Sequence, residues 1–230
     1  MSLAVSGPDP RIGRWLAIEC TTEACSVALF QDGGLVAGEY RQLGRGHAEA
    51  LVPMIAALPE RGRAGAIAVG RGPGSFTGLR IGLAAARALG LAWNAPVYGY
   101  PTLALIASMA LLRERGPVRV ATTGGHGEWF TQSFDAQGRA LDDLLSQRPE
   151  AAMAHGEALV AGSQAEALLA GRRATGGADG LALALWPDAR AVAGLNPAHF
   201  SHDLTPLYGR APDARLPGGR LPDTPAVSAA

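Results

Sequence analysis

The sequence is poor in several features that would each settle a class. Cysteine occurs only twice, at Cys20 and Cys25. That is too few for a zinc site, which is built on about four ligands, or for a framework of bridges. Two reduced thiols on a short strand-turn-strand segment are the expected state. Net charge is missing as well, since lysine plus arginine and aspartate plus glutamate each number 20. No overall field draws the chain to nucleic acid or to an anionic membrane, although a local basic patch stays open. No apolar run reaches the roughly 18 residues a membrane span needs, and residues 1–14 lack the apolar core of a signal peptide. The expectation is a cytoplasmic protein with no membrane contact.

What is present is a globular composition: 230 residues, 48% hydrophobic. A chain of this size buries roughly 70–75% of its unfolded surface, which suits one large domain or two small lobes. Residues 15–20, 26–31 and 35–41 read as three short strands, with a turn at Asp32 to Gly34. Residues 47–60 then read as a helix bent by Pro53, 65–72 as a buried strand, 78–93 as a helix, 96–100 as a strand and 101–115 as a helix opening at Pro101. A less regular second half follows, with a hairpin over 118–125 and 128–135, a strand at 158–162 and a helix at 163–171. A meander followed by alternating helices and strands, then a shorter second copy, predicts an α/β chain of the actin-like, or RNase H-like, two-lobed fold. The expected parts are an N-terminal extension (1–14), a first lobe (15–108), a smaller second lobe (109–210) and a loosely held tail (211–230).

Five segments carry a resemblance. They are TTEACSVALFQDGG (21–34), GHAEALVPMI (46–55), GRGPGSFTGLRIGLAAARALGLAWNAPVYGYPTL (70–103) and, more faintly, GEWF (127–130) and PLYGR (206–210). Together they resemble the bacterial TsaB (YeaZ) family, most strongly over residues 16–110. The resemblance implies a role in making threonylcarbamoyladenosine at position 37 of ANN-decoding tRNAs. In that role the chain is a non-catalytic partner that binds and activates the related catalytic protein TsaD, with the ATPase TsaE. It implies contact with tRNA only through that complex, and a homodimer when the chain is alone. The alternatives are a glycoprotease-like metallopeptidase and an actin-like small-molecule kinase or ATPase.

Each alternative makes a demand on particular residues. The resemblance implies that TsaD-like catalysis uses a metal held by H-x-x-x-H, because two histidines four apart share one helical face. Here that stretch runs from His47 to Leu51, with leucine at the second position. His126, His155, His199 and His202 supply no matching pair, so neither metal nor cofactor is expected. Nucleotide hydrolysis in the actin-like manner needs an acidic residue at the first hairpin, a second acidic loop and an adenosine pocket. Glu19 stands at the first position with the Thr21 and Thr22 hydroxyls beside it, or is merely a strand-end glutamate. In the second hairpin Glu128 is the nearest carboxylate. Efficient ATP hydrolysis by the chain alone is not expected, and a weak nucleotide contact at a junction with TsaD stays open.

The loop from Gly70 to Gly78 raises a separate question. It is not a Walker loop, because no lysine lies within it, and Pro73 and Thr77 break the nucleophile-elbow pattern around Ser75. Two readings remain. In one, its glycines allow close backbone approach and Ser75 or Thr77 caps the next helix. In the other, Gly74, Ser75 and Thr77 with Arg80 form a weak anion site at that helix's N-terminus.

The helices themselves show more apolar surface than one sheet would cover. Gly82, Ala85, Ala86, Leu89 and Trp93 recur at helical spacing, and helix 47–58 is apolar nearly all round. Either the rest of the chain covers the excess, or His47, Leu51, Ile55, Leu58, Gly82, Ala86 and Leu89 form a patch shared with TsaD or with a second copy.

Overall fold

The computed structural model describes Arg11 and residues 13–209. The chain opens with β1 (Arg14–Glu19), β2 (Ala24–Gln31) and β3 (Gly34–Gln42), and continues through α1 (His47–Ala57), β4 (Ala66–Gly70), α2 (Phe76–Trp93) and β5 (Val97–Tyr100). After α3 (Thr102–Leu111) come β6 (Val118–Thr123), β7 (Trp129–Phe134), β8 (Leu145–Gln147), α4 (Pro149–Ala152), β9 (Leu159–Ala161), α5 (Ala165–Ala174) and β10 (Leu181–Leu183). These strands form two five-stranded sheets, ordered β3-β2-β1-β4-β5 and β10-β9-β6-β7-β8. In each, three antiparallel strands lead into two parallel ones. The same path is therefore run twice, which is the actin-like α/β fold.

Local sequence explains most of the first copy. Asp32 and Gly33 have φ of 49° and 82°. A two-residue turn with both values positive has the twist that matches antiparallel strands, and it fixes the β2–β3 register. β1 lies between an antiparallel and a parallel neighbour, and its side chains divide by period two between two covered faces. Leu16 and Ile18 join Val27, Leu29, Ile67 and Val69 in a layer beneath α1 and α2. Trp15 and Ala17 face the other way with Phe30 and Ala68, and Trp15 stacks on Phe30.

The second face is covered by α3, whose residues Thr102 to Ser108 are all buried. A helix apolar on every side suits a position between two sheets. The same core takes Val118, Val120, Phe130 and Phe134 from the second sheet. Residue 108, the expected lobe boundary, lies inside this helix.

The second copy is reduced, with β8, β9 and β10 of three residues each and α4 of four. Sequence reading found β9 and α5 but missed β8, α4 and β10, because elements this short show no period. The stretch after α5 supplies core: Leu185, Ala189, Val192, Leu195 and Phe200 are buried in the layer shared by the sheets and α3. The expected tail over 211–230, and the expected extension over 1–14 apart from Arg11, Gly13 and Arg14, lie outside the described residues.

Candidate functional site

The ends of β1 and β4, the start of α3 and the glycine-rich loop converge on Glu19. Its side chain is fully buried. Oε1 accepts from the Thr21 backbone N–H at 2.9 Å and from Thr21 Oγ1 at 2.6 Å, and Oε2 accepts from Thr102 Oγ1 at 3.4 Å. Thr102 Oγ1 also lies 2.9 Å from Thr21 Oγ1, closing a ring of hydroxyls around the carboxyl. Burial raises the Glu19 pKa above its ordinary value, against the Thr21 donors that lower it. Gly70 makes the room: a Cβ there would stand 2.3 Å from Glu19 Oε2.

The sequence offers Glu19, Thr21 and Thr22 either as an anion or nucleotide contact or, for Glu19, as a plain strand-end glutamate, and here all three are held by partners within the chain. Glu19 and Thr21 are sealed, and Thr22 is 8% exposed with its hydroxyl accepting from the Ala24 N–H. The Glu19 carboxyl is turned inward, onto the Thr21 and Thr102 donors. Its chemistry is that of a hydrogen-bonded post joining β1 to α3.

The glycine-rich loop rests on that post. Ser75 N–H donates to the Thr21 carbonyl at 2.5 Å, and a Cβ on Gly74 would stand 1.8 Å from the same oxygen. Arg71 N–H donates to Tyr100 O. Ser75 is the cap of α2, accepting from Gly78 N–H at 3.3 Å, while Thr77 is exposed and is not the cap. The amides of Arg71, Ser75 and Gly78 are thus engaged within the chain, which favours the structural reading of the loop. Arg80 is likewise occupied: its guanidinium lies 3.6 Å over the Phe76 ring and donates to Tyr208 Oη at 3.2 Å.

The partner of the loop is the chain's own C-terminal segment, which sequence reading had not connected to it. Leu207 N–H donates to Arg71 O, Arg71 Nη1 pairs with Asp203 at 2.7 Å, and Tyr208 stacks on Phe76. Leu204 and Tyr208 pack on the α1–α2 layer. The faint PLYGR motif was the available signal, but only tertiary contact ties it to GRGPGSFTG.

The apolar patch read either as covered by the rest of the chain or as shared with a partner is covered by the chain in this structure. His47, Leu51, Ile55, Leu58, Gly82 and Ala86 are buried within the chain, and Leu89 is half-buried against the same layer. They cover Leu16, Ile18, Val27 and Ile67, so the sheet itself uses the excess. His47 Nε2 bonds the Thr22 carbonyl at 2.8 Å, tying the start of α1 to the β1–β2 turn. The outward sides of the helices instead carry Val52, 63% exposed, and Leu91, 87% exposed.

In the second sheet, Glu128 accepts from Ser146 Oγ at 2.7 Å and holds β8 to the hairpin. Sequence reading missed a buried polar set nearby. Arg119 on β6, with no exposed surface, donates to Ser133 Oγ and Thr131 Oγ1 at 2.8 Å and pairs with Asp142 at 2.5 Å. Among the described residues no group of three or more His, Cys, Asp or Glu side chains is placed to hold a metal.

Comparison with known proteins agrees with this architecture. The family model for TsaD, tRNA N6-adenosine threonylcarbamoyltransferase, matches residues 35–168. The tRNA threonylcarbamoyladenosine biosynthesis protein TsaB of Escherichia coli is 43% identical over 112 residues, 46% of this chain. That match spans 48% of the E. coli protein, about half its length. An uncharacterized protein of Mycobacterium tuberculosis is 33% identical over 221 residues, covering 89% of this chain and 95% of its own. The solved structure of YeaZ from Pseudomonas aeruginosa superposes with a TM-score of 0.66 at 28% identity, over 80% of this chain and 90% of that one. With the TsaD model covering more than half of the chain and the YeaZ structure matched over most of it, the chain belongs to the TsaB (YeaZ) family of TsaD-like proteins.

Proposed function

We propose that this chain is a non-catalytic partner of a TsaD protein in the synthesis of threonylcarbamoyladenosine on tRNA. TsaE completes the set, tRNA is met only through the complex, and the chain pairs with itself when TsaD is absent. One observation carries the non-catalytic part. The helical position four residues after His47, where a metal site would need its second histidine, holds Leu51, and that side chain is 1% exposed in the hydrophobic layer. Its partner His47 is turned to the Thr22 carbonyl. The face that would hold an ion is part of the core, and no cofactor is assigned to the chain.

Support for the partner role comes from the other side of the same helices. Val52 on α1 and Leu91 on α2 present apolar surface outward, and Phe76 at the start of α2 is exposed as well. A specific complex needs about 800 Å² from each partner. A glutamate at the centre of such a contact buries an unpaired carboxylate and weakens association strongly.

The test is co-sedimentation of the full chain with the TsaD protein of its own organism, for wild type, Val52→Glu and Leu91→Glu. Both variants should melt as wild type does, because the sites are exposed, and at least one should lose TsaD. A wild-type chain that does not associate with TsaD would overturn the proposal. So would peptidase turnover with stoichiometric metal, or steady ATP turnover, by the chain alone.

A further inference from the structure

Two groups take no part in the function above, and both lie at the point where three elements meet. Glu19 faces Ser26 across the β1–β2 pair. Cys20 and Cys25 are therefore the next facing residues, at the end of the hairpin. Their sulfurs lie 3.3 Å apart, both thiols are free, and their exposures are 1% and 0%. Around them the turn is a hub. The Cys20 carbonyl lies where a Cβ on Gly78 would be, the Thr21 carbonyl receives Ser75 N–H, and the Thr22 carbonyl bonds His47.

We propose that Cys20 and Cys25 form a modification site that takes hydrogen peroxide as its oxidant and closes to a disulfide across the root of the glycine-rich loop. Facing residues of an antiparallel pair have Cα atoms about 4.5–5.5 Å apart, inside the range a disulfide accepts. Bonding draws the sulfurs from 3.3 Å to about 2.05 Å, a movement that side-chain rotation supplies without breaking the strand pair.

The two thiols have unequal roles. Cys20 is pushed well up by its hydrogen bond to Cys25, by burial, and by the nearness of Cys25 and Glu19. Cys25 is lowered chiefly by accepting that S–H, with Arg41 helping. Cys25 is the thiol that ionises first and attacks. Its thiolate takes one peroxide oxygen, the O–O bond breaks, and the departing hydroxide gains the proton Cys25 lost, giving water. Cys20 then attacks the Cys25 sulfenic acid, its proton leaves with the hydroxyl as a second water, and the S–S bond forms. Two thiols lose two electrons and two protons, and one peroxide becomes two waters.

Burial selects the oxidant. Thiols at 0–1% exposure are out of reach of a tripeptide disulfide, whereas peroxide is close to the size of water, and the half-buried Glu23 marks the surface two residues away.

The experiment uses the reduced, folded full chain, exposed either to hydrogen peroxide or to glutathione disulfide, then denatured and labelled with N-ethylmaleimide. Peroxide should leave a monomer about 2 Da lighter than the reduced chain and unlabelled, restored by dithiothreitol. The bridge should lie within the tryptic fragment 15–41, which holds both cysteines. Glutathione disulfide should leave both thiols open to the label. With dimedone present, Cys20→Ser should be trapped at Cys25, while Cys25→Ser should give no adduct at Cys20; circular dichroism verifies that each is folded, and the wild-type arms stand without them. Two labelled thiols after peroxide, sulfinic or sulfonic products, a bridge between chains, equal oxidation by glutathione disulfide, or trapping at Cys20 instead would each overturn the proposal.

Discussion

Replacing Glu19 by glutamine should stabilise the protein at neutral pH, although it removes a carboxyl from the centre of the site. Glu19 is fully buried, its donors are the Thr21 N–H and the Thr21 and Thr102 hydroxyls, and burial raises its pKa above 4.5. The sign follows from linkage. Below about pH 4.5 the carboxyl is protonated in both states and costs nothing. As pH rises further, the unfolded chain ionises freely while the folded chain holds its proton. Stability then falls by up to about 1.4 kcal/mol per pH unit until the folded pKa is reached, and the loss stays constant above it. Glutamine has the same shape and does not titrate. Its oxygen keeps both Thr21 donors, and its amide N–H donates to Thr102 Oγ1, which still reaches Thr21 Oγ1 at 2.9 Å. For a chain of this size each kcal/mol is worth about 2–4 °C. Thermal melts from pH 4 to 8 should therefore show the Glu19→Gln minus wild-type difference starting near zero and climbing by up to about 3–6 °C per pH unit before it levels off. A variant less stable by the same amount at every pH would refute the buried-post reading. A wild type that gains on the variant as pH rises would mean the carboxylate meets a cation, as a ligand site requires.

The two sides of α1 separate core from surface. Leu51→Ala, at 1% exposure, should cost about 2–5 kcal/mol, whereas Val52→Ala, at 63% exposure, should fall within about 0.5 kcal/mol; urea melts that reverse the order would place the helix wrongly. Asp142→Ala strands the fully buried Arg119 guanidinium and should cost about 3 kcal/mol, since Asp142 itself is partly exposed. Adding Arg119→Met should recover part of that loss, and a double variant no better than Asp142→Ala alone would show that the pair is not what holds β6 to its neighbours.

How much of this was legible in the chain depends on the range of the interaction concerned. The first meander, its Asp32–Gly33 turn, α1, α2 with a cap at Ser75 or Thr77, and the alternation of strand and helix follow from period and turn chemistry within a few residues. The actin-like fold could therefore be read from the order of elements. The missing metal histidine was equally local, because residues 47 and 51 face one way on any helix. Tertiary structure decided the rest. Glu19 reads as a strand-end carboxylate, and only the approach of Thr102 and the bare Gly70 seals it. Leu51, Ile55 and Ala86 read as surplus apolar surface, but the sheet beneath α1 and α2 takes them all, leaving Val52 and Leu91 outside. Nothing local marks Arg119, and only its pairing with Asp142 from beyond β7 shows it as a buried charge. The loop at Gly74 and Ser75 suggested an anion, because exposed amides at a helix start attract one. The Ser75 amide meets the Thr21 carbonyl and the loop's flank meets Leu207 and Tyr208, residues more than a hundred positions away, and contacts at that separation leave no period or spacing for a sequence to display.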